Sequence, residues 1–259
     1  MRSFKYASHV LVGLAAFSLQ ASYIVGPRPS NFPSNAIPAS GSSTPPATGS
    51  SATGTTTVSV NLTPPPTVGN IVVVAFVEIT NSTVQTQSMA DNQNGAYPRL
   101  LIFPNSAATQ VVHLTLWCSV IKASSGTFTI TGSSTATSAK WISAKEYKNT
   151  TCNQDVTGVG ATGNTHPYSC GSLSTVNAKD IVIALIGYSF GAGGTNTFTA
   201  PTGFTLVSSQ TDGNQIAAGS FAENITSAAG TFSGTYDATN ILAPSVNGTS
   251  CAQVAILSQ

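Results

Sequence analysis

The chain has 259 residues, a net charge of +1 and only 7% charged residues. That length suits one large all-β domain or two small ones around a sizeable core. No stretch gathers Lys and Arg into the basic face that nucleic-acid binding needs, and no window beyond the extreme N-terminus shows helical periodicity with caps.

The N-terminus predicts an export signal over residues 1–21. Arg2 and Lys5 form a positive start, Val10 to Phe17 an apolar core, and Leu19-Gln20-Ala21 an imperfect cleavage site. The apolar run is well short of the roughly 20 residues of a spanning helix, so no membrane span is expected in the mature protein. Residues 22–56 hold "PRPSNFPSNAIPASGSSTPPATGSSATGTT", rich in Pro, Ser, Thr and Gly. Such text lacks the apolar content to fold alone. It reads as a flexible spacer, or as an arm that orders against a neighbouring subunit.

From Thr57 the sequence becomes β-like, in apolar runs bounded by Gly, Pro, Asn or Ser clusters. Strands are expected near 57–62, 70–79, 97–103, 110–121, 126–132 and 139–147. A second series is expected near 172–176, 180–189, 203–209, 214–223, 230–236 and 250–257. The connecting stretch 148–171 reads as a cysteine-stapled loop.

The two series resemble one another. "VGNIVVVAF" (68–76) answers "AKDIVIALI" (178–186), and "NGAYPRLLI" (94–102) answers "PTGFTLVSS" (201–209). "LWCSVIKASSGTFTI" (116–130) answers "SFAENITSAAGTFSG" (220–234), with Trp117 falling on Phe221. The expected fold is all-β: a two-sheet jelly-roll-like sandwich over residues 57–259, built from half-repeats near 57–148 and 171–259. Two Ig-like sandwiches in tandem are the competing arrangement.

Cys118, Cys152, Cys170 and Cys251 suit an exported protein and match no zinc spacing. Four cysteines allow three pairings; Cys152–Cys170 as a loop staple with Cys118–Cys251 between strands is the one expected.

The segments "GNIVVVAF", "SMADNQNGAYPRL", "LWCSVIKASSGTFTITGSSTATSAKWISAKEY", "VNAKDIVIAL", "PTGFT" and "SAAGTFSGTY" resemble a loosely defined, mostly uncharacterised set of secreted bacterial and phage-associated β-sandwich domains. The resemblance covers roughly residues 57–257. It implies an extracellular or cell-surface jelly-roll module and carries over no catalytic residue. The four cysteines depart from the pattern, as does Lys148-Asn149 after Glu146-Tyr147.

Gly187-Tyr188-Ser189-Phe190-Gly191 is a literal G-x-S-x-G after an apolar run. A nucleophile elbow needs a following helix and a later His. Here "AGGTNTFTAPTGF" follows, and His9, His113 and His166 all precede Ser189. A strand running into a glycine-rich turn is the better reading, with a serine hydrolase the remote one. Asp91-Asn92-Gln93-Asn94-Gly95 fails the EF-hand pattern and reads as a turn. Asp91 remains a candidate for a loop cation site of another type. Glu78, Glu146 and Glu223 are too isolated for a glycosidase pair, and Glu146 beside Lys145 reads as a solvated edge pair.

A glycan-binding face would expose aromatics. Tyr97, Tyr147, Tyr168, Tyr188 and Tyr236 are available, Tyr168 in "NTHPYSC" best placed with His166 beside it, whereas Trp117 and Trp141 read as core. No cofactor is expected. The reading that results is a non-catalytic structural or adhesion module, secreted or at the cell surface. In its fibre form Thr57, Val58, Val60 and Leu62 belong to a strand donated to the next copy. A carbohydrate-binding module is the alternative, so the expected partner is the protein itself or a surface glycan.

Overall fold

In the computed structural model the described residues are 41–42, 46–51, 55–80, 86–104, 111–162, 167–188, 197–211, 218–226, 228–239 and 249–258. They form strands and turns only. The first half holds β1 (Gly41–Ser42), β2 (Ala47–Ser51), β3 (Thr57–Leu62), β4 (Ile71–Thr80), β5 (Gln87–Asp91), β6 (Gly95–Ala96), β7 (Arg99–Pro104), β8 (Val111–Val120), β9 (Phe128–Ser134) and β10 (Ala139–Lys148). The second holds β11 (Thr150–Thr162), β12 (Tyr168–Ser174), β13 (Ile181–Tyr188), β14 (Thr197–Thr199), β15 (Thr205–Thr211), β16 (Ala218–Ile225), β17 (Thr231–Thr239) and β18 (Thr249–Ser258).

The chain is an all-β sandwich of antiparallel sheets. Where two sheets were expected there are four, because each half closes a roll of its own. The first roll pairs a sheet ordered β2-β10-β4-β8-β7 with one ordered β3-β9-β5-β6, and β1 continues the β2 edge along β10. The second pairs β11-β18-β13-β16-β15 with β12-β17-β14. The two windings are the same apart from β6, which has no counterpart, and the edge along β10, where β1 and β2 together take the place of β11. Even an irregularity recurs: the β7–β8 register shifts between Arg99 and Leu101, and the β15–β16 register between Leu206 and Ser208.

The apolar runs are long because the central strands are covered on both faces. Ile71, Val73, Ala75 and Val77 point into a seam where they meet Ile181, Ile183 and Leu185 of the other roll. Val72, Val74 and Phe76, the alternate residues, point outward onto Val60, Met89 and Ile130. Ala184 and Ile186 do the same against Tyr168 and Tyr236. The stack therefore runs outer sheet, broad sheet, broad sheet, outer sheet. Across the seam β10 lies against β16 and β8 against β18, while β2 meets β15 and β11 meets β7. Each contact has its counterpart with the rolls exchanged. The rolls thus pack as an isologous dimer would, about a pseudo-twofold axis along the strands.

Four expectations are corrected here. Part of the presumed spacer forms β1 and β2, and the presumed stapled loop contains β11. Both are Ser/Thr/Gly-rich edge strands, so neither shows an apolar period. Thr57 to Leu62 is not free for donation: β3 pairs along its length with β9 of the same chain, burying Val58, Val60 and Leu62. Trp117 lies opposite Val74 as Ala222 lies opposite Ala184, so its counterpart is Ala222, and Phe221 answers Leu116. That one-residue slip reverses the face: Trp117 points outward and Phe221 into the seam.

The cysteine pairing differs from the expected one. Cys118 bonds Cys152, joining β8 to β11 and hence one roll to the other. Cys170 bonds Cys251, joining the two sheets of the second roll. Cys251 sits opposite Ile186 as Ile142 sits opposite Phe76, so an aliphatic residue fills that place in the first roll.

Candidate functional site

The five tyrosines are buried. Tyr168, expected as a loop contact, opens β12, and its ring stands 5.8 Å from that of Tyr188. Tyr236 donates to the Ala184 carbonyl at 2.8 Å and meets Phe198 edge-on. The outer sheets turn their large residues inward and their hydroxyls outward, so "NTHPYSC" enters a strand where the sequence suggested an exposed loop. An aromatic glycan platform is therefore not made by these side chains. Trp117 and Trp141 are core residues, as expected. His166 and Ser189 lie outside the described residues. Gly187 and Tyr188 are the last two residues of β13. A Cβ on Gly187 would collide with Val77, Val112 and Leu114, so close packing of the seam requires glycine there.

The outward faces carry hydroxyl ladders. Ser59 bonds Thr131 at 2.8 Å and Thr129 bonds Asn61 at 2.7 Å on one outer sheet. On the other, Ser172 bonds Ser233 at 2.7 Å and Ser174 bonds Thr231 at 2.8 Å. Cross-strand pairs of this kind stabilise a sheet, and they keep a surface wet with almost no charge.

The acidic residues serve the fold. Glu78 faces Lys140 at 3.6 Å with both side chains fully buried. It also accepts from Gln87, Ser134 and Ser138. Burial lowers the Lys140 pKa, while the facing Glu78 opposes that shift. Lys145 and Glu146 do not form a solvated pair. As neighbours on a strand they face opposite ways: Lys145 reaches Glu223 in the seam, and Glu146 takes the Thr67 amide and the Asn70 side chain. Tyr147 donates to Glu223 as well; burial, then the Glu223 charge, pushes its phenol far up. Among the described residues no three His, Cys, Asp or Glu converge as a metal site.

One end of the stack, where β4 and β13 begin, is tied by many side-chain-to-backbone hydrogen bonds; we term it the base. Asp91 caps its own turn, accepting from the amides of Gln93 and Asn94. Its carboxylate is thereby committed, and Gly95 closes the turn at φ 86°. The next three side chains mimic backbone. Asn92 bonds Thr127 and Thr129, Gln93 bonds Ser125, and Asn94 bonds Lys122 and Ala123. Beside them a cleft of about 270 Å³ is lined by Asn94, Pro98, Ser119, Val120, Lys122 and the Cys118–Cys152 bridge. In the second roll Asp155 takes the place of a turn cap, accepting from the amides of Val176 and Asn177 and from the Asn177 side chain. Asp180, fully buried, stands beside it, and burial pushes its carboxyl up to about 6.

Sequence reasoning found Asp91 as a turn and missed the rest of the base, because its parts come from loops far apart in the chain. The spacing of the two similar halves was the one usable signal. No family model, curated protein or solved structure matches the chain.

Proposed function

We propose that the protein is an exported, non-catalytic structural or adhesion module acting at or beyond the cell surface. The observation that carries this reading is how the reactive side chains are spent. Glu78, Glu223, Lys140, Lys145 and Tyr147 are buried and bonded to one another or to the backbone. The outer sheets meanwhile present hydroxyl ladders. Two disulfides suit an oxidising compartment. The resemblance of residues 57–257 to secreted β-sandwich domains points the same way.

Assembly into a fibre belongs to this reading in altered form. A strand exchanged between copies would be β1 and β2, which line an edge, rather than 57–62, which is built into its sheet.

The test is cell fractionation with protease shaving, followed by alkylation of the denatured protein without reductant. The proposal expects the chain outside the cell or on its surface, with no thiol labelled. Retention in the cytosol with four labelled thiols overturns it.

A further inference from the structure

We propose that the base of the stack is a docking surface for an anionic lipid bilayer. Both rolls present their bases at the same end. Lys148 closes β10, and two residues later Thr150 lies opposite Ser258, whose amide donates to Asp180 just before β13. The Cys118–Cys152 bridge ties the two bases together.

Among the described residues the cations that are not buried gather at one end of the strands. Six Lys and Arg fall among the described residues. Lys140 and Lys145 are buried. The other four are all at the base: Arg99 and Lys148 on strands that start or end there, Lys122 directly after β8, and Lys179 in the turn before β13. The described residues at the other ends of the strands include no exposed Lys or Arg. Asp91, Glu146, Asp155 and Asp180 also lie at the base, Asp91 and Asp155 capping turns through amide donors and Glu146 and Asp180 buried, so they offset part of the charge of the four cations. The exposed Asp237 lies six residues up β17, toward the opposite end.

Four of the six exposed large aliphatic side chains among the described residues lie at the base as well, while Ile102 and Leu206 lie within β7 and β15. Val68 is 57% exposed and Val176 73%, each in the turn that leads into the second inner strand of its roll. Val120 (43%) and Ile225 (41%) close β8 and β16, opposite Ile71 and Ile181 respectively. Aliphatic side chains ringed by cations are what an interface of anionic headgroups and acyl chains accepts. A soluble polyanion would use the cations and leave the valines idle, which favours the bilayer. This inference deepens the surface-module reading and rests on it.

The test is vesicle co-sedimentation with the full chain and its variants side by side, so that residues 1–40 are common to all. The wild type is expected to partition into phosphatidylcholine vesicles containing 30% phosphatidylglycerol, and to leave them as salt rises or when phosphatidylcholine is used alone. The variant K122Q/K148Q/K179Q should bind about a hundredfold less, about fivefold per lysine. V68S/V176S should weaken binding at unchanged charge. Equal binding to both vesicle types overturns the proposal. So does a charge variant, folded by circular dichroism, that binds like wild type. Capture by alginate that ignores the valine changes would replace the bilayer with a polyanion. If a variant fails to fold, the salt and lipid dependence of the wild type decides. A chain found outside the cell that ignores anionic vesicles sinks this inference and leaves the surface-module reading standing.

Discussion

Lys145 and Glu223 meet across the seam between the rolls, Nζ to Oε1 at 2.6 Å, although 78 positions separate them in sequence. Tyr147 donates to the other oxygen of the same carboxylate. Glu223→Ala should therefore strand an ammonium and a phenol in the seam. The expected loss is about 3–5 kcal/mol, read by urea unfolding. Replacing all three together with Met, Leu and Phe should cost far less, since buried ions give little net stability over apolar residues of similar size.

The seam also constrains glycine. Gly187 and Gly219 lie opposite each other on β13 and β16. A Cβ on Gly219 would run into the Trp141 indole of the facing sheet. Gly219→Ala should cost about 1–3 kcal/mol by overpacking. Gly230→Ala is the control, because its added Cβ meets nothing within 4 Å. Equal loss at both sites would contradict close packing of the two rolls.

Stability should depend on Asp180. Burial raises its carboxyl to about 6, and the nearby Asp155 charge adds to the shift. A carboxyl raised in the folded state binds its proton more tightly there than in the unfolded chain. That contribution is present at acid pH and falls away as pH rises through about 4 to 6. Asp155 runs the other way. Burial raises it, but the amide and side-chain donors of Val176 and Asn177 outweigh that and hold its pKa low, so its contribution is lost in acid. Asp180→Asn should stabilise the protein at pH 8 by up to about 3 kcal/mol. It should also flatten the wild-type decline between pH 4 and 6. Chemical denaturation across that range checks both.

A chain that starts at Thr55 lacks β1 and β2 and leaves the outer edge of β10 open. Exposed strand edges template association. The shortened chain should show concentration-dependent association by light scattering beyond any that the full chain shows. Two equally monomeric, equally stable proteins would mean that the edge tolerates water.

Most of the strands were legible because burial on two faces gives runs such as Val72-Val73-Val74 and Ile181-Val182-Ile183 that nothing else explains. The unread strands, β1 with β2 and β11, occupy the same place in the two rolls. At that edge the strands are rich in Ser, Thr and Gly, so the side chains carry little record of the pairing. The sequence showed two similar halves but not that each closes by itself, since both arrangements bury the same residues. Tyr168 misled because a Ser/Thr/Asn setting suggests a loop, when here it is the wet face of an outer sheet. Cysteine spacing does not encode pairing at all: Cys118 and Cys152 come together only because β11 crosses to the other roll.

The most direct test of this architecture is mass-spectrometric mapping of disulfides in the unreduced protein. The account predicts Cys118–Cys152 and Cys170–Cys251, bonds spanning 34 and 81 residues. Chain entropy puts their removal at about 3.8 and 4.5 kcal/mol respectively. Peptides joining Cys152 to Cys170 and Cys118 to Cys251 would contradict the double roll, and four free thiols would contradict both the locked fold and the export proposed for it.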